Sequence, residues 1–224
     1  AKKIIDNTPD VSAEDIQPKG FTTTIVDQNG TVIDTLKDSD SNRVYRTYDE
    51  ITAKTDFLPH AFVAIEDERF YEHNGIDIQG ILRAGVVGVM NGFDFTEGAS
   101  TLTQQLLKNN VFNAYNETDI EKIKRKVQEQ YLAIQLEKVT KKETILETYL
   151  NTINLGSNTL GVQAASHRYF DKDVSDLTLS ECAVIAGITQ NPAAYNPIYH
   201  PKANAKRRKK ILKNMLDASH ITKD

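Results

Sequence analysis

In the second half of this chain a threonine followed at the third position by a glutamate stands at the head of three helical patterns: Thr118/Glu121, Thr140/Glu143 and Thr178/Glu181. Such a pair satisfies backbone N–H groups reciprocally at a helix start. An apolar set at helical spacing follows in each case. The first predicts a long helix to Lys138, with Ile120, Ile123, Val127 and Ile134 as its apolar stripe. The second predicts a helix with Ile145, Leu146, Tyr149 and Leu150 inside, and the third a helix carrying Cys182 and stopping before Pro192. Pro201 suits the first turn of a last helix, which turns Ile211, Leu212, Met215 and Leu216 to the core.

Upstream the signals change. Residues 1–20 are polar, with Pro9 and Pro18, and read as an extended lead-in. FTTTIVDQNGTVIDTL (21–36) places β-rich runs on either side of Asn29-Gly30, a hairpin signal. Pro59 then opens a helix that brings Glu66 to its end, and a second helix runs from Asp77 to about Met90 despite Gly80, Gly85 and Gly88. MNGFDFTEGA (90–99) breaks the pattern as a loop, after which Ser100 is placed to cap a helix from Thr101 to about Asn110. The expected fold is therefore mostly α, with a small N-terminal β-hairpin lead-in over 1–56 and a helical domain over 57–224.

Composition narrows the classes. With 224 residues, 39% hydrophobic and 26% charged, the chain can build an ordinary core. A net charge of −4 argues against nucleic acid as a partner. One cysteine, Cys182, excludes an internal disulfide and a cysteine-cluster metal site, and its apolar surroundings predict a buried thiol. No stretch reaches the roughly 18 apolar residues of a membrane span. The start at Ala1 without Met reads as a cut or processed chain, which leaves room for an anchor upstream.

The chemistry gathers in three polar strings. EDERFYEHNG (66–75) holds Glu66 after the apolar FVAI, and RKVQE (125–129) holds Glu129. Between them runs GASTLTQQLLKN (98–109), in which Thr101, Gln105 and Lys108 share one helix face as hydroxyl, amide and ammonium. That face reads as a phosphate grip or as a solvated surface. Arg125 and Glu129, four apart, read as an ion pair or as a phosphate clamp beside a carboxylate. His73 before Asn74-Gly75 reads first as a turn residue.

In order and spacing these strings resemble the peptidoglycan glycosyltransferases, found in class A penicillin-binding proteins and as monofunctional enzymes. RKVQEQYLAIQLE (125–137), which extends RKVQE, KETILETYLN (142–151) and RRKKILKNM (207–215) are similar to the family's third, fourth and fifth motifs. Ala99 replaces a common glycine, and INLGSNTLG (153–161) a more aromatic stretch. The resemblance implies a lysozyme-like bilobal glycosyltransferase domain, from a class A protein first and a monofunctional enzyme second. It also implies that lipid II is polymerised into β-1,4-linked glycan, with inversion and release of polyprenyl pyrophosphate.

Glu66 matches the general base and Glu129 the second catalytic carboxylate. Asp67, Phe70, His73, Ser100, Thr101, Gln104, Gln105, Lys108, Asn109, Arg125 and Lys126 match substrate-binding positions. No cofactor is required by the sequence; the resemblance admits a divalent cation, Mg2+ or Mn2+, at Glu129. The implied partners are lipid II, the growing glycan chain, the outer surface of the bacterial membrane and phosphoglycolipid inhibitors of the moenomycin type. VVGVMNGFDF (86–95) and the basic KRRKK (206–210) are the candidate membrane contacts. The expected location is the extracytoplasmic face of the cell membrane, held by an N-terminal transmembrane helix absent from this chain. A lysozyme-like glycan-cleaving enzyme and a non-catalytic lipid II-binding module are the alternatives.

Overall fold

Where apolar residues recur at helical spacing the chain is helical, and among the described residues strands are confined to one hairpin. The computed structural model describes residues 2–6, 8–21, 23–36, 42–90, 98–112 and 116–223. Two compact units interleave along the sequence, one of Ala1–Gln17 with Glu66–Thr148, the other of Pro18–Ile65 with Tyr149–Asp224.

The first element is a short helix α1 (Lys2–Ile5), followed by strands β1 (Thr23–Val26) and β2 (Val32–Leu36). The strands are antiparallel with Thr23 opposite Leu36, and the register slips between Ile25 and Val26. Their loop is longer than a two-residue turn because Asp27 organises it. One carboxylate oxygen accepts from the amides of Asn29 and Thr31, both at 2.8 Å, and Gly30 takes the left-handed φ of 83°. A one-turn helix α2 (Tyr48–Ile51) follows, with Thr47 and Glu50 forming a capping box at its head.

α3 (Phe57–Glu66) buries Leu58, Ala61, Phe62, Val63 and Ala64, so it is anchored on nearly every side, and Glu66 is its last residue. α4 (Ile78–Met90) is held at its start by Asp77, whose carboxylate accepts from the Gly80 amide at 2.9 Å. Glycine fits at position 80 because a Cβ there would meet the Asp77 carboxylate at 2.4 Å. Burial pushes the Asp77 carboxyl up, but Arg69 and the Gly80 amide outweigh it and hold the group below its ordinary value. The expected loop at 90–99 lies largely outside the described residues.

α5 (Leu102–Asn110) is capped by Thr101, not by Ser100 as its sequence suggests: Thr101 and Gln104 form the capping box. α6 (Asp119–Val139) begins at the Thr118/Glu121 box as expected, but its buried stripe is different. Ile120 is 68% exposed and Ile123 64%, whereas Arg125, Glu129, Leu132, Ala133 and Leu136 are buried. The inward face thus starts with charged groups that pair with each other and only turns apolar in its second half.

α7 (Lys142–Thr152) buries Ile145, Leu146, Tyr149 and Leu150 as expected. Thr140 and Glu143 do not cap it, though: Thr140 closes α6 in an extended conformation, and its buried hydroxyl has no hydrogen-bond partner.

α8 (Val162–Phe170), α9 (Leu179–Ala186) and α10 (Pro201–Asp217) complete the second unit. α9 starts at the Thr178/Glu181 box, and Pro201 opens α10. Asn204 ties these two helices, its amide donating to the carbonyls of Val184 and Tyr195 at 3.0 and 2.9 Å. Within 206–210, Arg207 is structural: it donates to the Gly187 carbonyl at 2.9 Å and lies over the Tyr195 ring. Burial pushes the Cys182 thiol up to about 12, consistent with its expected inert role.

Two predictions follow from packing. Burial opposes ionisation of Asp173, but bonds from Ser175, Arg46 and Gln163 lower its carboxyl from 3.8 to about 2. A depressed folded value stabilises above pH 3.8 and the gain is lost as pH falls through 2. Asp173→Asn should therefore unfold more easily at pH 7, by about 1 kcal/mol after allowing for solvent screening. Equal urea midpoints at pH 7 would refute the assignment. Gly75 has φ 93°, and a Cβ there would stand 2.5 Å from the Ala133 backbone on α6. Gly75→Ala should lower stability by about 3 kcal/mol, and an unchanged melting temperature would contradict this close approach.

Candidate active site

The site is assembled around the end of α3. Past Glu66 the chain leaves the helix, and Asp67 turns inward, where its side chain is buried. Its carboxylate accepts from the Leu102 amide, the first residue of α5, at 2.9 Å, and pairs with His73 Nε2 at 3.0 Å. A negative group at this amino end suits the helix dipole and takes one of its free N–H groups. Thr101 adds a second tether, its hydroxyl donating to the Gly75 carbonyl at 2.7 Å. With α5 so placed, Gln105 Nε2 donates to Glu66 Oε2 at 3.2 Å. Glu66 is half-buried and lines a pocket with Arg69, Arg83, Gly98, Ala99 and Ser100.

The second carboxylate lies on α6. Glu129 is fully buried, yet each oxygen has a cation: Arg125 on Oε1 and Lys126 on Oε2, the latter at 2.7 Å. Lys126 also reaches the Ser100 hydroxyl at 3.1 Å, while the Ser100 carbonyl accepts from Gln105 at 3.4 Å. Ser100 therefore joins the two carboxylate clusters, and the contacts run Glu66, Gln105, Ser100, Lys126, Glu129. Arg125 has a second acid. Its Nε faces both oxygens of Glu117, at 2.8 and 2.9 Å. The Glu117 bonds come first in raising the Arg125 guanidinium, and the same bonds hold the Glu117 carboxyl below its ordinary range.

The sequence-selected residues thus divide. Glu66, Gln105, Ser100, Lys126, Arg125 and Glu129 form one continuous set. Asp67, His73, Thr101 and Gln104 are buried or nearly so and frame the start of α5, their polar groups occupied by one another and by backbone. Phe70 is a core residue, fully buried, with the Lys142 ammonium 4.4 Å from its ring centre. Lys108 and Asn109 are exposed near the end of α5, and no ion-pair partner for Lys108 occurs among the described residues.

Glu117, Glu137 and Lys142 were not singled out by sequence reasoning. Glu137 and Lys142 stand inside motif-like strings, which was a signal, but Glu117 offers none beyond its place before a capping box. The residues present do not fit a cation site at Glu129, because both its oxygens face protein cations. Among the described residues no group of three or more acids, histidines or cysteines is placed to hold a metal ion.

Comparison with known proteins bears on the whole chain. The transglycosylase family model matches residues 29–216. Penicillin-binding protein 1A of Clostridium perfringens (strain 13 / Type A) is 40% identical over 229 residues, covering 99% of this chain and 32% of that protein. Penicillin-binding protein 1F of Bacillus subtilis (strain 168) is 43% identical over 198 residues, covering 88% of this chain and 26% of the relative. The chain therefore spans about a third or less of the length of these relatives. Among solved structures, the crystal structure of penicillin-binding protein 1A from Haemophilus influenzae matches with a TM-score of 0.46 and 23% identity, over 92% of this chain and 19% of that one. The family match runs across both units and takes in every polar string described above, and the chain belongs to the transglycosylase family.

Proposed function

We propose that this chain polymerises lipid II into β-1,4-linked glycan strands in bacterial cell-wall synthesis, with Glu66 as general base. The observation that carries the reading is the unbroken line of contacts from Glu66 through Gln105 and Ser100 to Lys126 and Glu129. It sets a proton acceptor at one end and cations at the other, as the reaction requires. Glu66 removes the proton from the 4-hydroxyl of the acceptor sugar, and Gln105 orients the carboxylate for it. The oxygen attacks the anomeric carbon of the donor, the bond from that carbon to the phosphate oxygen breaks, and lipid pyrophosphate leaves as an anion. That leaving group needs positive charge more than a proton. Lys126, half-exposed, and Lys108, exposed, supply it. Glu129 keeps Lys126 and Arg125 in place.

Arg125 joins them only when Glu117 releases it. In its resting pairing the carboxylate of Glu117 occupies the place on the guanidinium that a phosphate oxygen would take. A phosphoglycolipid inhibitor of the moenomycin type would compete for the same cations.

A lipid-linked substrate places this chemistry at the outer surface of the cell membrane. On α4, Val86, the first residue of the expected lipid contact, is exposed, and Ile78 and Leu82 extend its apolar line at helical spacing towards the helix start. Residues 91–95 of that expected segment lie outside the described ones. Among the described residues no helix is long and apolar enough to cross a membrane.

The test is polymerisation of labelled lipid II in detergent. Glu66→Gln should lower the rate about 100-fold or more while lipid II still binds; undiminished turnover would sink the base assignment. Glu117→Ala should lower the KM for lipid II by freeing Arg125, and an unchanged or raised KM would show that Glu117 does not compete with substrate.

A further inference from the structure

Lys142 is placed against the ordinary electrostatics of a helix. It is the first residue of α7, where the helix dipole disfavours a cation. It is also largely buried. Its ammonium is turned towards three partners: Glu137 at 2.7 Å, the face of Phe70, and His73 Nδ1 at 3.4 Å. Glu137, itself buried, accepts on its other oxygen from the Thr103 hydroxyl of α5.

The consequence falls on His73. A lysine ammonium has donors only, and the Gly75 amide also points at Nδ1, at 3.2 Å. Two donors facing one ring nitrogen leave it the acceptor, so the proton of the neutral ring is on Nε2. Nε2 is the atom that meets both oxygens of Asp67 at 3.0 Å. With the opposite tautomer a nitrogen lone pair would face a buried carboxylate, and Asp67 would turn away from the Leu102 amide.

We infer that Lys142, balanced by Glu137, is a positioning residue for the Glu66 site. Together with the Gly75 amide it keeps His73 Nδ1 an acceptor and so favours the tautomer whose Nε2 serves Asp67, which holds the start of α5 where Gln105 meets Glu66. This rests on the proposed polymerase reaction for its effect on rate, but not for its effect on structure.

Lys142→Met alone would leave Glu137 buried without its cation, a change that can unfold a protein. The test therefore uses Lys142→Met combined with Glu137→Gln, which removes both charges and keeps an acceptor for Thr103. Long-range proton–nitrogen spectra of the imidazoles, with His73 assigned by its loss in His73→Gln, read the tautomer directly. Hydrogen exchange at the Leu102 amide reads the bond to Asp67, and lipid II turnover reads the outcome.

The wild type should show His73 protonated on Nε2. The double variant, still folded by its melting temperature, should show a detectable share of the Nδ1-protonated ring beside the Nε2 form, faster exchange at Leu102 and a kcat reduced roughly 10- to 100-fold through misplacement of Gln105 and Glu66. KM should change little. An unchanged tautomer and unchanged exchange in the folded double variant would overturn the inference, whatever the rate. If the wild type does not polymerise lipid II, the reading of the reaction falls, while the spectra and exchange still decide the role of Lys142.

Discussion

Asp67 is a buried carboxylate, and its hydrogen bonds govern where Gln105 and Glu66 stand relative to one another. It accepts from the Leu102 amide and from His73, so it fixes the start of α5 against the turn that follows α3. A buried charge with fewer partners would be costly, which makes this arrangement stiff. Everything on the exposed side of α5 inherits its position from that contact. Gln105 reaches Glu66 because the first turn of the helix is held there, and Ser100 faces Lys126 because the chain enters the helix at that point.

A second charged centre does comparable work on α6. Arg125, Lys126, Glu129 and Glu117 alternate in sign around a fully buried carboxylate. Such a group contributes little net stability compared with an apolar filling, and its removal piece by piece is what hurts. Its presence in place of leucines is easiest to understand if the cations must be held ready for an anion. The same reasoning explains why the helix begins with exposed isoleucines: its inward face was already occupied by charge.

Much of the architecture was legible where a local rule had no competitor. The boxes at Thr118/Glu121 and Thr178/Glu181 open helices, and Pro59 and Pro201 stand in first turns. Thr140/Glu143 has the same spacing and does not cap, because Thr140 is needed to end the preceding helix in an extended conformation. Ser100 lost the cap to Thr101 by one residue, a shift that periodicity does not resolve. The stripe of α6 was misjudged because hydrophobicity ranks isoleucine above arginine, whereas burial here follows charge pairing. In the site, the strings themselves were visible, but the division into exposed groups and buried frame was not. Thr101 is enclosed by its bond to Gly75, 26 residues away, and Glu117 meets Arg125 only because the chain turns into α6 between them, which spacing alone does not show.

The interleaving of the two units has a consequence for synthesis. The unit containing Glu66, Glu129 and Lys142 has all its segments once residue 148 has been made. The other unit begins at residue 18 but cannot close until its second half, from residue 149, emerges; Arg46 waits 127 residues for Asp173. Pairings so distant in sequence form slowly and leave apolar surface uncovered meanwhile. On the ribosome, the unit that holds Glu66 would thus have all its segments while Phe62 on α3 still lacked Tyr149, the ring against which it packs edge-on.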